Sequence, residues 1–87
     1  MITLSPISIE DAKAVFARNS EYRSEFNLAI CARNEHETLE GVIALCADGK
    51  EFALGHIWTD GNAQIGSLLY GGAWRVAKAL GYKTITI

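Results

Sequence analysis

Apolar and polar positions recur along this chain with two different periods, and the switches between them mark its elements. Phe26, Leu28, Ile30 and Ala32 alternate with Asn27, Ala29, Cys31 and Arg33, the two-residue period of a strand. Leu39 to Ala47 is mostly apolar through Val42, Ile43 and Leu45, which suits a central strand. Phe52, Leu54, His56 and Trp58 alternate along a further strand that ends near Thr59. The polar run Asn34-Glu35-His36-Glu37-Thr38 and the dipeptide Asp48-Gly49 stand where these strands must turn, and the second is a strong hairpin signal. Three strands joined this closely predict an antiparallel meander.

Helical spacing is found twice. Ile9, Ala12, Val15 and Phe16 predict an amphipathic helix over 9–18, and Ser8 stands three residues before Asp11 in a capping box with Asp in place of Glu. A longer helix is predicted from about Ala63 to Leu80, roughly 27 Å at 1.5 Å per residue. Its Ile65, Leu69, Gly72 with Ala73, Val76 and Leu80 share one face and belong on the sheet. Gly71 and Gly72 cost about 1 kcal/mol each inside a helix, and a close approach of helix to sheet accounts for them more simply than a ligand. Gly81 is suited to the left-handed residue that ends such a helix. Ile2, Leu4 and Ile7 give a short first strand broken at Pro6, residues 19–25 have no period and form a loop, and Thr84-Ile85-Thr86-Ile87 makes a last strand. The order β-α-β-β-β-α-β predicts one α+β domain over residues 1–87. Its sheet is mixed and mostly antiparallel, with the last strand beside and parallel to the fourth after a right-handed crossover.

Composition narrows the class. Hydrophobic residues at 49% and charged residues at 21% belong to a globular domain, and one this small gains stability from a partner surface or from dimerisation. The net charge of −2, with no block of Lys or Arg, argues against direct nucleic-acid binding. The opening Met1-Ile2-Thr3-Leu4-Ser5-Pro6 lacks the basic and long apolar regions of a signal peptide, and no apolar run nears the roughly 20 residues that cross a bilayer, so a cytoplasmic location is expected. Cys31 and Cys46 lack metal or dithiol spacing and are offset in register, so two buried, reduced thiols and no metal site are expected.

The candidate chemistry lies mainly in the last third. A strand end, the turn Asp60-Gly61-Asn62 and a helix start together point free backbone N–H groups at whatever precedes them, which suits an anion such as a pyrophosphate. His56 is the one candidate general base on a strand, its alternative being a histidine packed beside Leu54 and Trp58. Asp60 suits a turn or cap, His36 the surface, and Glu35, Glu37 and Glu40 a solvated acidic turn or an acidic contact surface. Tyr70, Trp74 and Lys78 fall opposite the core face, and the exposed Tyr and Trp beside Arg75 are residue types in which protein contacts are rich.

The segments Thr59-Asp60-Gly61, Asn62-Ala63 and LYGGAWRVAKALGY (69–82), with the opening from Ile2 to Ala14, resemble the GNAT superfamily of N-acetyltransferases, and within it small phage and prophage GNAT-like proteins. The likeness is strong at both ends and weak from about Asn19 to Phe52. It implies a GNAT-like fold and acetyl-CoA as cofactor. It places the pyrophosphate on backbone N–H groups of Ile65, Gly66 and Ser67, and the pantetheine along Ile57-Trp58-Thr59. Of the family's loop pattern only Gly66 matches, since Gln64 stands in place of a glycine and Gly61 in place of Arg or Gln. The family continues into a further helix and two strands that build the acceptor site, whereas here Ile87 is the last residue. The resemblance therefore implies a C-terminally truncated, non-catalytic domain whose open last strand, Thr84, Ile85, Thr86 and Ile87, contacts protein together with Tyr70, Trp74 and Arg75. The partner is a second copy or a host target, as for a phage inhibitor such as an anti-CRISPR protein. The alternative is a small acetyl-CoA-dependent N-acetyltransferase.

Overall fold

The structure, a computed structural model, describes residues 1–19 and 25–87; part of the expected loop at 19–25 lies outside the described residues. β1 (Thr3–Pro6), β2 (Leu28–Arg33), β3 (Leu39–Asp48) and β4 (Glu51–Thr59) lie side by side in chain order as one antiparallel sheet. α1 (Ile9–Asn19) joins β1 to β2, and α2 (Ala63–Ala79) follows β4. The α+β class and the meander are as the pattern predicts. The expected last strand is reduced to a single parallel bridge between Thr86 and Ala53: Thr86 N–H donates to the Phe52 carbonyl at 2.8 Å and Leu54 N–H to the Thr86 carbonyl at 2.8 Å.

Local chemistry closes each connection. The Asp11 amide donates to Ser8 Oγ at 3.1 Å, the half of the capping box that the sequence supplies. Asn34 Oδ1 accepts from the amides of His36 and Thr38 at 2.8 and 3.1 Å, which winds the turn between β2 and β3. Asp48 pairs with Glu51 across a two-residue turn whose Gly49 has φ +54, the left-handed backbone this tight turn demands. Just before β2, the Asn27 side chain imitates a strand: its Nδ2 donates to the Ala47 carbonyl and its Oδ1 accepts the Ala47 amide, at 2.8 and 2.9 Å.

The sheet is covered on both faces. On one face Ala12, Val15 and Phe16 of α1 pack with Phe26, Ala29, Cys31, Val42 and Ala44. On the other, Ile65, Leu69, Ala73 and Ala77 of α2 pack with Ala32, Ile43, Leu45 and Phe52. Burying each of the larger side chains in these layers contributes about 1.5–3 kcal/mol. Phe26 lies outside β2 and joins the α1 layer, so it does not share the face of Leu28 and Ile30. The thiols of Cys31 and Cys46 are free, with Cys31 buried as expected but Cys46 only half-buried.

A bulge changes what β4 presents. Ala44 pairs with His56 and Leu45 with Leu54, so Gly55 is an extra, unpaired residue. The insertion reverses the alternation. Phe52 and Leu54 face α2, as does Ile57 beyond the bulge, while Trp58 packs in the α1 layer and His56 against Phe16. The four residues expected on one face are thus divided between two.

α2 departs from expectation at one end. Leu80 is the C-cap and 55% exposed, because the helix stops short of turning it inward, and Ala77 is buried on the sheet instead. The Tyr82 amide donates to the Ala77 carbonyl at 2.9 Å and Gly81 has φ +92, so the chain leaves the helix through the expected glycine. Tyr82 and Ile85 then pack on the α2 layer, with the Tyr82 hydroxyl donating to the Gly49 carbonyl at 3.0 Å.

The depth at which α2 sits is set by Gly41 of β3. A Cβ built there would lie 2.8 Å from Ile65 Cγ2, 2.9 Å from Leu69 Cδ1 and 3.0 Å from the Trp58 carbonyl oxygen. Gly41→Ala is expected to destabilise the domain by about 1–3 kcal/mol, the usual cost of overpacking a filled core. An urea titration that finds the midpoint unchanged would show that α2 is not held this closely.

Candidate functional site

The start of α2 is built differently from an open anion cradle. Asn62 caps the helix with extended backbone (φ −96, ψ 111), and its Oδ1 accepts the Gln64 amide at 2.9 Å. The Ile65 amide donates to the Asn62 carbonyl at 3.1 Å. Gly66 and Ser67 lie one and two residues further along, where helix amides bond within the helix. Of the amides that the resemblance assigns to pyrophosphate, none points outward free. Asp60 forms the turn rather than the cap, its amide donating to the Glu40 carbonyl at 3.1 Å, and Gly61 takes φ +108 beside it. Gln64 is exposed on the first turn of the helix.

The edge of β4 is the other half of that neighbourhood. Because the Asp60 amide bonds toward β3, alternation turns the backbone groups of Trp58 and His56 toward β3 and those of Ile57 and Thr59 away from it. The bridge at Thr86 covers the edge only beside Ala53, so Ile57 and Thr59 present their N–H and C=O groups to an open margin of the sheet.

His56 is half-buried and stands edge-on to Phe16, with ring centroids 5.0 Å apart and an interplanar angle of 77°. It shares the α1 side of the sheet with Trp58, whereas Leu54, expected beside it, faces α2. His36 is on the surface with Glu35, whose carboxylate also meets the chain's N-terminal amine at 3.5 Å. Glu37 is exposed in the turn at φ +64, whereas Glu40 is half-buried near the start of β3, so the three acids divide between the turn and the strand. Among the described residues no His, Cys, Asp and Glu side chains gather as a metal site would require. No described helix is long and apolar enough to cross a membrane.

The terminal segment leaves part of itself unpaired. Thr86 spends its amide and carbonyl on β4, so those of Ile85 point the other way and find no partner among the described residues. Ile85 is half-buried on the α2 layer, Thr84 and Thr86 are exposed, and Ile87 is 92% exposed. Beside this segment a recess of about 440 Å³ is bordered by Lys50, Lys83, Tyr82 and Thr84. Both lysines are exposed, and no acidic side chain is among its described lining residues.

The outer face of α2 gathers more than the pattern alone suggests. Leu68, Tyr70 and Trp74 are 41%, 43% and 42% exposed on two adjoining turns. Arg75 and Lys78 lie exposed among them, and neither makes an ion pair with another described residue. Gly71 sits in their midst, and a Cβ there would meet nothing within 4 Å. Close packing on the sheet accounts for Gly72, whose Cβ would lie 3.0 Å from Leu4 Cδ1, but not for Gly71, which costs about 1 kcal/mol in the helix. The charges are also segregated: all ten acidic residues lie at or before Asp60, while Arg75, Lys78 and Lys83 follow it. The sequence pattern singles out Tyr70, Trp74 and Arg75, passes over Leu68 and assigns Gly71 to the sheet with Gly72, whereas a 100° wheel places Gly71 at the centre of the outward side with Leu68 and Trp74 about 60° to either side of it.

Replacement of the capping Asn62 by Ala is expected to cost about 0.5–2 kcal/mol, since it leaves the Gln64 amide without its acceptor. Thermal melts of the two proteins check this, and an unchanged midpoint would mean the cap is dispensable. No family model, no curated protein and no solved structure matches this chain.

Proposed function

We propose that this domain acts by binding protein rather than by catalysis, through the outer face of α2 and the open margin beside β4. The observation that carries this reading is the pair Tyr70 and Trp74, one turn apart on the helix and each more than 40% exposed, beside Arg75 and Lys78, which make no ion pair with another described residue, with Leu68 similarly exposed on the far side of these cations. Single exposed apolar residues are ordinary, but a cluster with a Tyr, a Trp and an Arg is the composition from which interface hot spots are drawn. The amide and carbonyl of Ile85, which find no partner among the described residues and are flanked by the side chains of Thr84, Thr86 and Ile87, offer a second place for a partner's backbone. The resemblance to a truncated GNAT-like phage protein supports the same reading, with a host defence complex as one class of target and a second copy of this chain as another.

A second reading is an acetyl-CoA-dependent N-acetyltransferase. Favouring it is the open edge at Ile57 and Thr59 beside the start of α2, which suits an extended amide-bearing cofactor arm. Weighing against it are the engaged amide of Ile65, the internal positions of Gly66 and Ser67, and the packing of His56 on Phe16.

Two measurements separate the readings. Titration calorimetry with acetyl-CoA is expected to give no heat and no cofactor-dependent rise in melting temperature; a saturable signal would replace the first reading with the second. The double variant Tyr70→Ser/Trp74→Ser is expected to keep the far-UV spectrum and to lose at least tenfold in affinity for whatever the wild type associates with, by sedimentation or by capture on an immobilised chain. Association unaffected by the double variant and by Ile85→Lys would refute a contact role for these surfaces.

A further inference from the structure

We infer that the groove between the outer edge of β1 and α2 takes an extended acidic segment of a different protein, added to the sheet beyond β1. The inference rests on the protein-binding role proposed above, and adds to it a further surface and the chemistry of the partner. β1 is an outermost strand, with β2 on one side only. Because the Ile7 amide donates to the Ala29 carbonyl at 3.2 Å, alternation turns the backbone groups of Thr3 and Ser5 toward β2 and those of Leu4 and Pro6 away from it. The outer margin therefore offers the Leu4 N–H, the Leu4 C=O and the Pro6 C=O. Proline fits at position 6 because its missing N–H falls on this open side. A partner's extended backbone meets these groups as a neighbouring strand would.

Beside that margin lies a recess of about 250 Å³, bordered by Leu4, Pro6 and Ile30 of the sheet and by Gly72, Arg75 and Val76 of α2. At roughly 30 Å³ for a group the size of a water, it has room for one large aliphatic or aromatic side chain. Side chains on an added strand alternate, so every second residue of the partner points to the α2 side. One apolar residue there fills the recess, and the next residue on that side stands roughly 7 Å away, two steps of about 3.4 Å.

Charge decides what that next residue is. Arg75 lines the recess, is exposed, and makes no ion pair with another described residue. Its Nε reaches only the Gly71 carbonyl, at 3.4 Å, and its terminal N–H groups find no partner among the described residues. Those groups form the planar fork that a carboxylate matches. α2 contains no acid, and every charged residue after Asp60 is a cation. Glu10 and Asp11, the acids next to β1 in sequence, belong to α1, which packs on the opposite face of the sheet. A carboxylate on the partner therefore meets a cation that its own chain leaves unpaired. A second α2, itself free of acids, supplies no such group, and a segment with an apolar residue and Asp or Glu two places away does.

Selection of displayed random seven-residue peptides on the immobilised chain reads this preference directly. The expected winners join a large apolar residue to Asp or Glu two places away. A winner made as a synthetic peptide is expected to lose about tenfold or more in affinity when its acid becomes the matching amide, and as much on the Arg75→Glu chain. A repeat selection on Arg75→Glu is expected to exchange the acid for Lys or Arg and keep the apolar residue, a switch that misfolding cannot imitate. Hydrogen exchange locates the peptide: the Leu4 amide is expected to slow on binding, and those of Ile57 and Thr59 to stay as they were. Winners without an acid, a preference unmoved by Arg75→Glu, or protection at Ile57 and Thr59 in place of Leu4 would overturn the groove and leave the broader contact role standing. So would self-association abolished by Arg75→Glu in a chain that selects no peptide, since a second copy would then occupy the groove. A chain that selects no peptide and associates with nothing would remove both.

Discussion

The distance between α2 and the sheet governs most of what this molecule presents. It is set by two missing side chains, one on each element. Gly41 of β3 leaves room for Ile65 and Leu69 to descend onto the sheet, and Gly72 of α2 leaves room for Leu4 of β1. Because protein interiors are packed near crystal density, a single added carbon at Gly41 has nowhere to go without moving the helix. With the helix seated this low, its 17 residues cannot all be shielded by four short strands. The inward side is buried down to Ala73 and Ala77, and the outward side carries Leu68, Gly71 and Trp74 into solvent.

A second constraint is the extra residue in β4. Gly55 has no partner in β3, and from that point the strand turns over. Phe52 and Leu54 complete the α2 layer below it, while above it His56 meets Phe16 and Trp58 joins the α1 layer. The same inversion exchanges the backbone groups at the margin, closing the edge near Ala53 through Thr86 and opening it at Ile57 and Thr59. One insertion therefore decides both which face of the sheet the histidine lies on and which backbone groups of β4 face the open margin.

Charge and exposure then divide the roles of the two helices. α1 carries Glu10 and Asp11 in its first turn and Arg18 in its last, the distribution that complements its own dipole. α2 has no acid in its first turn, and only Lys78 in its last turn assists its dipole, while Arg75 reaches back to the Gly71 carbonyl at 3.4 Å. A helix that needed only to cover the sheet would place alanine at residue 71 and acids near its start. The departures lie on the surface proposed to meet another protein, where local stability is commonly given up for recognition.

How much of this was legible in the chain differs by residue. Helical spacing placed Ile65, Leu69 and Ala73 on the sheet, Ser8 and Gly81 marked helix ends, and Asp48-Gly49 marked a hairpin, because each signal depends on neighbours within four or five positions. The candidate site was less legible: Tyr70, Trp74 and Arg75 were placed outward by the same period, but Gly71 was assigned to the sheet with Gly72, and Leu68 was passed over. The sequence by itself determined the order of the first six elements, the α+β class and the inward stripe of α2 from Ile65 to Ala73, since period and turn chemistry are local properties of the chain. Only the tertiary structure decided that Gly55 bulges, that Asn62 rather than Asp60 caps α2, that Leu80 turns out while Ala77 turns in, and that Gly71 faces open space. Each of these depends on register between strands or on the depth of a helix on a sheet, which residues distant in sequence settle together.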